Sequence, residues 1–192
     1  MPFDISQLRL ELSPGHHRRL LGESVDKTAM VAEGQATCFV TGISPQNKDD
    51  VMNSTLLAQL AANSKHNRET EAKAWYGYYK YVLEHVGWVV SDFNFAAKNL
   101  SDVDVAVNKV VIDFMEAYLD PTQLVAMKNL IESLRDEKEP AAKIFSTASS
   151  DGKNANFQIG CCSQDRDSNF FVLIGYGCIF LDARHGSSAH SS

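Results

Sequence analysis

An apolar segment near the C-terminal end, residues 170–181, limits the possible folds more than any other part of this chain. Two glycines interrupt it, and at about 12 residues it is too short to span a membrane as a helix. Its alternating positions are apolar on both sides, with Phe171 and Leu173 opposite Val172 and Ile174. The segment is therefore predicted to form a strand that is central in a sheet or covered on both faces.

The order of patterns along the chain predicts an α+β fold. Turn-forming clusters separate three expected C-terminal strands, at about residues 143–148, 154–162 and 169–181, which favours an antiparallel meander. Residues 28–43 are typical of a β-hairpin that turns at Glu33-Gly34. Because helices lie between these strand regions, we expect a mainly antiparallel sheet of about five or six strands, with four main helices packed on one face.

Amphipathic segments and their boundary signals predict the helices. Ser44-Pro45 and Asp120-Pro121 each place a capping side chain before a proline at the first helical position. The strongest helical pattern covers residues 68–86 and ends at Gly87 as a C-terminal cap. Pro140 is expected to close the last helical segment. The four helices are expected to start near residues 45, 68, 101 and 121, with a further strand over about 88–97.

Length and composition indicate one globular domain. The 192 residues are 44% apolar and 22% charged, which excludes the intrinsically disordered class and allows a sizeable core. We expect a single α+β domain over residues 1–182 and a disordered tail over residues 183–192. Residues 1–35 give the weakest pattern: Leu8, Leu10 and Leu12 alternate as in a strand, whereas Ile5, Leu8 and Leu12 also fit a helix face.

Charge and terminal sequence restrict the partners and the compartment. The net charge of −6 argues against nucleic acid as a general partner. Met1-Pro2-Phe3-Asp4 shows no basic region followed by an apolar stretch, so the expected compartment is the cytoplasm. Secretion by a route without a signal peptide stays open as an alternative. No transmembrane span is expected.

The cysteines are expected to be small buried residues. They are Cys38, Cys161, Cys162 and Cys178. No C-x-x-C spacing exists, so a zinc ribbon or a thioredoxin-like motif is not expected. Cys162 lies next to a polar turn, and it could act as a nucleophile with His85 or His185 and an acid such as Asp92. A cysteine-dependent hydrolase is therefore one alternative function.

Other motifs that resemble functional sites lack essential parts. Ser150-Asp151-Gly152-Lys153 has no partner motifs of the β-lactamase type, and Gly175-Tyr176-Gly177 lies inside a strand. Residues 165–169 have alternating oxygen ligands but neither the glycine nor the distal glutamate of a calcium loop. We expect no metal, no cofactor and no catalytic motif of these kinds.

One face of the 68–86 helix is the best candidate for binding. Tyr78, Tyr81 and His85 fall within about 60° of one another, beside the apolar stripe and away from the charged side. Tyrosine and histidine combine an apolar body with a polar tip, which suits an interface or a pocket wall. We call these three residues the aromatic flank. It is expected to pack on a neighbouring helix, to contact a partner, or to line a ligand pocket.

These features favour a non-catalytic interaction protein that forms a homo-oligomer. Its aromatic flank and an apolar sheet face would bind a protein partner or a second copy of the chain. The first alternative is a carrier of an apolar small molecule or lipid, or a membrane-active effector, with residues 170–180 lining a cavity and possible acylation of a cysteine there.

Overall fold

Seven segments of the chain are described by the computed structural model. They are residues 3–12, 24–25, 28–90, 117–135, 140–149, 154–165 and 170–180, with side chains except at 24–25, 146–149, 154–155, 170–171 and 176–180. The helix expected from residue 101 and the tail at 183–192 lie outside the described residues. A single domain over residues 1–182 stays a prediction.

The described elements confirm an α+β fold. A short 3-10 turn, Ile5–Gln7, comes first, so the N-terminal leucines that fitted a strand or a helix follow it in an irregular segment. The helices and strands are β1 (Ser24–Val25), β2 (Ala29–Ala32), β3 (Gln35–Phe39), α1 (Pro45–Asn63), α2 (Ala72–His85), α3 (Pro121–Ser133), α4 (Pro140–Ser149), β4 (Asn154–Gln164) and β5 (Phe170–Phe180).

The strands form one mixed sheet in the order β1-β2-β3-β4-β5. β1, β2 and β3 are antiparallel neighbours, and so are β4 and β5. β3 and β4 are parallel, with Gln35 opposite Gln158 and Phe39 opposite Cys162. The described part of the chain thus contains four full strands and the two-residue β1, fewer than the five or six expected, and the sheet is not purely antiparallel.

The prediction of a strand at residues 143–148 is wrong, because these residues belong to the helix α4. Pro140 begins this helix, whereas the sequence led us to expect that it closes the preceding one. Ala141 and Ala142 are buried against the sheet, and the Phe145 ring lies 6.4 Å from that of Phe157. The expected three-stranded meander is consequently a β4–β5 hairpin, and β3 occupies the other side of β4.

Helices cover both faces of the sheet, and not one face as expected. One core joins α3 and α4 to the strand residues whose side chains point to their side; its buried members include Val31, Cys38, Met127, Leu130, Ile159 and Cys161. A second core joins α1 to the opposite face; its buried members include Ala32, Phe39, Val51, Met52, Leu56 and Cys162. Because neighbouring strand residues alternate between these cores, apolar residues on both strand faces are needed.

Predicted signals are confirmed at the start of α1 and at the end of α2, whereas α2 begins at Ala72 and not near residue 68. The Ser44 hydroxyl accepts from the Asn47 N–H (3.1 Å) at the start of α1. Gly87 has a φ of 107° at the end of α2, where glycine is favoured, and the Trp88 N–H donates to the Leu83 carbonyl (3.1 Å). Residues 88–90 are not in the strand expected at 88–97, whose remaining residues lie outside the described part.

Candidate functional site

The structure places the aromatic flank on the outer side of α2. The Tyr78 and Tyr81 rings stack with their centroids 5.5 Å apart, and the His85 ring lies 4.0 Å from that of Tyr81. Tyr78 is half-buried, whereas Tyr81 is 42% exposed and His85 is exposed. The three predicted residues therefore lie together as the helical periodicity indicates, with Tyr81 at the centre and both Tyr81 and His85 accessible.

Two further rings extend the aromatic flank. Phe3 lies 5.8 Å from Tyr81 and 4.7 Å from His85, and His66 lies 6.3 Å from Tyr78. His85 Nδ1 donates to the Tyr81 carbonyl (2.7 Å), which fixes the imidazole along the helix. Part of the flank thus packs against the N-terminal segment of the same chain, and the rest faces outward.

The inner side of α2 contacts a set of polar residues that the sequence did not predict as a site. These residues lie between α1, α2 and the sheet, and we call them the buried polar cluster: Gln35, Thr37, Gln59, Arg68, Asn156 and Gln158. Polar side chains with this degree of burial are expected to form hydrogen bonds. Gln35 and Asn156 form such hydrogen bonds, whereas the guanidinium of Arg68 and the side-chain amide of Gln158 form none with the described residues.

Asn156 ties the loop before α2 to the sheet. Its side-chain oxygen accepts from the Tyr76 hydroxyl (2.8 Å), and its Nδ2 donates to the Arg68 carbonyl (2.6 Å). Within that loop, the Asn67 side chain accepts from the N–H groups of Glu69 and Thr70 (2.9 Å each). The backbone of Arg68 is therefore held in place on both sides.

A second set of hydrogen bonds connects α2 to β3. The Tyr79 hydroxyl donates to Gln35 Oε1 (3.1 Å), and Gln35 Nε2 donates to Thr37 Oγ1 (3.0 Å). Burial raises the pKa of Tyr79, although the nearby charge of Arg68 acts in the opposite direction. Tyr79 is therefore a neutral hydrogen-bond donor over the physiological pH range.

The Arg68 guanidinium is the least satisfied group of the cluster. The residue is 9% exposed, and Nε, Nη1 and Nη2 all lack a hydrogen-bond partner in the described part of the chain. The guanidinium lies over the Trp75 ring, 4.6 Å from its centroid, and against Gly34 of the β2–β3 turn. A Cβ on Gly34 would come within 3.0 Å of three guanidinium atoms, so glycine makes room for Arg68.

Two glutamines add unsatisfied amide groups. Gln158 is fully buried on β4, near Tyr79, and neither its Nε2 nor its Oε1 has a hydrogen-bond partner of accepted geometry. Gln59 Nε2 donates to the Ala32 carbonyl (3.2 Å), but its Oε1 accepts no hydrogen bond. The cluster thus offers both donors and acceptors to a further group.

Cys162 and His85 do not form the catalytic pair considered above, and the alternative partner His185 lies outside the described residues. Cys162 is completely buried in the core under α1, and burial raises its pKa to about 12. His85 lies on the exposed side of α2, its described contacts are with Phe3 and Tyr81, and Asp92 lies outside the described residues. The Cys38 thiol donates to that of Cys161, which raises the pKa of Cys38 and lowers that of Cys161.

Several other expectations concern residues with no description. His185, residues 150–153 and most of 165–169 lie outside the described part, as do the side chains of Cys178 and much of β5. In the segments that are described, no three His, Cys, Asp or Glu residues gather as a metal site would require. None of the described helices combines the length and the apolar character needed to cross a membrane.

Comparisons with known proteins give no relative of this chain. No family model matches it, and neither the curated proteins nor the solved structures contain a significant match.

Proposed function

We propose that the protein is a non-catalytic interaction protein that self-associates through its aromatic flank, Tyr78, Tyr81 and His85. The observation that carries this proposal is the 42% exposure of Tyr81 in the middle of a continuous row of rings. Aromatic residues are enriched in protein interfaces, where their large apolar area is buried and their polar tips form hydrogen bonds.

The charges near the aromatic flank permit contact with a second copy of the chain. Each copy carries a net charge of −6, so two copies repel each other over most of their surfaces. The aromatic flank has no formal charge when His85 is neutral, and Lys80 and Glu84 form a balanced pair beside it (3.5 Å). In a two-fold interface the same patch meets itself, and a neutral patch with one charge of each sign allows this.

The apolar sheet face plays no part in the proposal. Helices cover both faces of the described sheet, and many of the apolar strand side chains that the structure describes pack in the two cores. The proposed contact is therefore limited to α2 and the adjoining N-terminal segment.

Sedimentation equilibrium of two matched variants tests this proposal. We expect the unmodified chain to dimerise reversibly between micromolar and millimolar concentrations. Tyr81→Glu should weaken the dimer at least about tenfold, because a carboxylate at the centre of an interface loses its water. Val125→Glu replaces a residue of α3 that is more exposed than Tyr81, 59% against 42%, and should leave the dissociation constant unchanged.

Two results would contradict self-association through this flank. One is an unmodified chain that stays monomeric over the whole concentration range. The other is an equal loss of association in Tyr81→Glu and Val125→Glu, which would indicate a general effect of added charge. Thermal melts of both variants check that each is folded at the temperature of the experiment.

A further inference from the structure

We propose that Arg68 and Gln158 form a binding site for a small oxyanion, such as the carboxylate or phosphate group of a small molecule. The site lies between α2 and the β2–β3 turn, on the inner side of α2. The site is separate from the aromatic flank, and the proposal does not depend on self-association of the chain.

The first argument is the unmet hydrogen bonding of Arg68. Its guanidinium carries five N–H donors, and the residue is 9% exposed. In the described part of the chain, no hydrogen-bond acceptor reaches any of its three nitrogens. Burial of a charged group without hydrogen bonds is strongly unfavourable, so this arrangement points to a group that Arg68 binds.

The second argument is that the guanidinium is held in position before any ligand arrives. The Arg68 carbonyl accepts from Asn156 Nδ2 (2.6 Å), which fixes the backbone. The guanidinium lies over Trp75, whose Nε1 donates to Asn63 Oδ1 (2.8 Å). An arginine whose plane is fixed in this way keeps its N–H groups available for a bidentate contact with an oxyanion.

The third argument is that Gln158 places a second polar side chain near the β2–β3 turn. The Gln158 backbone N–H donates to the Gly34 carbonyl (2.9 Å), and Gly34 is the residue against which Arg68 packs. The fully buried Gln158 side chain approaches the Tyr79 hydroxyl, but neither of its amide atoms completes a hydrogen bond in the described segments. Its Nε2 would donate to the anion, and its Oε1 would accept from a hydroxyl group on the same ligand.

The charge of the whole chain does not attract anions, so binding depends on these local donors. The net charge is −6, and Glu33 is buried beside Gly34, where it makes interactions of its own. If the Glu33 carboxylate were the counter-charge of Arg68, added anions would not bind to Arg68. The experiment below distinguishes an Arg68 paired with Glu33 from an Arg68 that binds an added anion.

Thermal unfolding with inorganic phosphate and with acetate, each balanced against chloride at constant ionic strength, tests the site. We expect a saturable rise in Tm with at least one anion, roughly 5 °C or more at a hundred times its dissociation constant. A rise with phosphate alone or with acetate alone identifies the preferred oxyanion. Arg68→Met should abolish the rise, and Arg9→Met, at an exposed arginine, should retain it.

Gly34→Ala provides a variant that keeps the positive charge. Its new methyl group would displace the guanidinium of Arg68 from this position and should weaken anion binding at least about tenfold. It also keeps the proposal testable if Arg68→Met does not fold. The proposal is overturned if neither anion produces a saturable rise in the unmodified chain, or if the rise persists undiminished in Gly34→Ala or Arg68→Met.

Discussion

At the scale of single residues, burial controls the chemistry of Cys162. The side chain is completely buried, and its pKa of about 12 leaves about one part in ten thousand as thiolate at pH 8. An exposed cysteine is about one-quarter ionised at that pH. We therefore expect Cys162 to resist alkylation by iodoacetamide in the folded protein and to react fully in urea, as measured by peptide mass mapping. Equal labelling rates in both states would contradict this and would favour the hydrolase alternative.

The candidate residues differ in how far the sequence could reveal them. Tyr78, Tyr81 and His85 are close in sequence, so the helical period alone predicts that they share one side of α2. Arg68 meets Asn156 across 88 positions in the sequence. A pattern such as Asn156-Phe157-Gln158 is typical of a strand with one face in water, and only the position of α2 shows that this polar face is buried.

At the scale of secondary-structure elements, a capping box stabilises the start of α3. Asp120 Oδ1 accepts from the N–H groups of Thr122 and Gln123 (2.8 and 2.9 Å), and Gln123 Oε1 accepts from the Asp120 N–H (2.8 Å). We expect Asp120→Ala to lower the free energy of unfolding in urea by about 1 kcal/mol. Ser133→Ala, at the other end of α3, removes no capping bond and should change it by less than about 0.5 kcal/mol. Equal losses in the two variants would contradict a special role for the cap.

Proline explains both the success and the failure of the helix predictions. Pro45 and Pro121 follow a capping residue, and α1 and α3 begin where this pair predicts. Pro140 follows Glu139, which is not a preferred cap, so the sequence led us to take this proline as a stop. The β-branched and aromatic residues after it favour a strand in isolation. Burial of Ala141 and Ala142 against the sheet favours the helix instead.

At the scale of the whole molecule, the parallel pairing of β3 and β4 accounts for helices on both faces. The strands are distant in sequence, and α1 to α4 all lie in the connection between them. The apolar run of residues 170–181 led us to expect a strand that is central or covered on both faces. β5 lies at the edge of the described sheet and not at its centre, while its Val172 and Leu173 pack against opposite cores. The sequence could not show that the chain supplies both covers, since a second subunit satisfies the same pattern. The proposal of self-association therefore rests on the exposed Tyr81 and not on the apolar faces of the sheet.

The N-terminal segment, residues 3–12, attaches to the body of the molecule through a few specific contacts. The Glu11 N–H donates to the Leu60 carbonyl (3.0 Å), Asn63 Nδ2 donates to the Glu11 carbonyl (3.0 Å), and Phe3 packs on the aromatic flank. Removal of residues 1–12 should lower the free energy of unfolding by about 1–3 kcal/mol, because these contacts and the half-buried apolar area are lost. The far-UV circular dichroism spectrum should keep its shape, since the only element described in this segment is the three-residue 3-10 turn, and Leu12 is a partly buried neighbour of the α1 core. Ile5→Ala, at a residue 54% exposed, is the matched control and should leave the urea midpoint nearly unchanged. An unchanged midpoint in the truncated chain would show that the segment does not stabilise the fold.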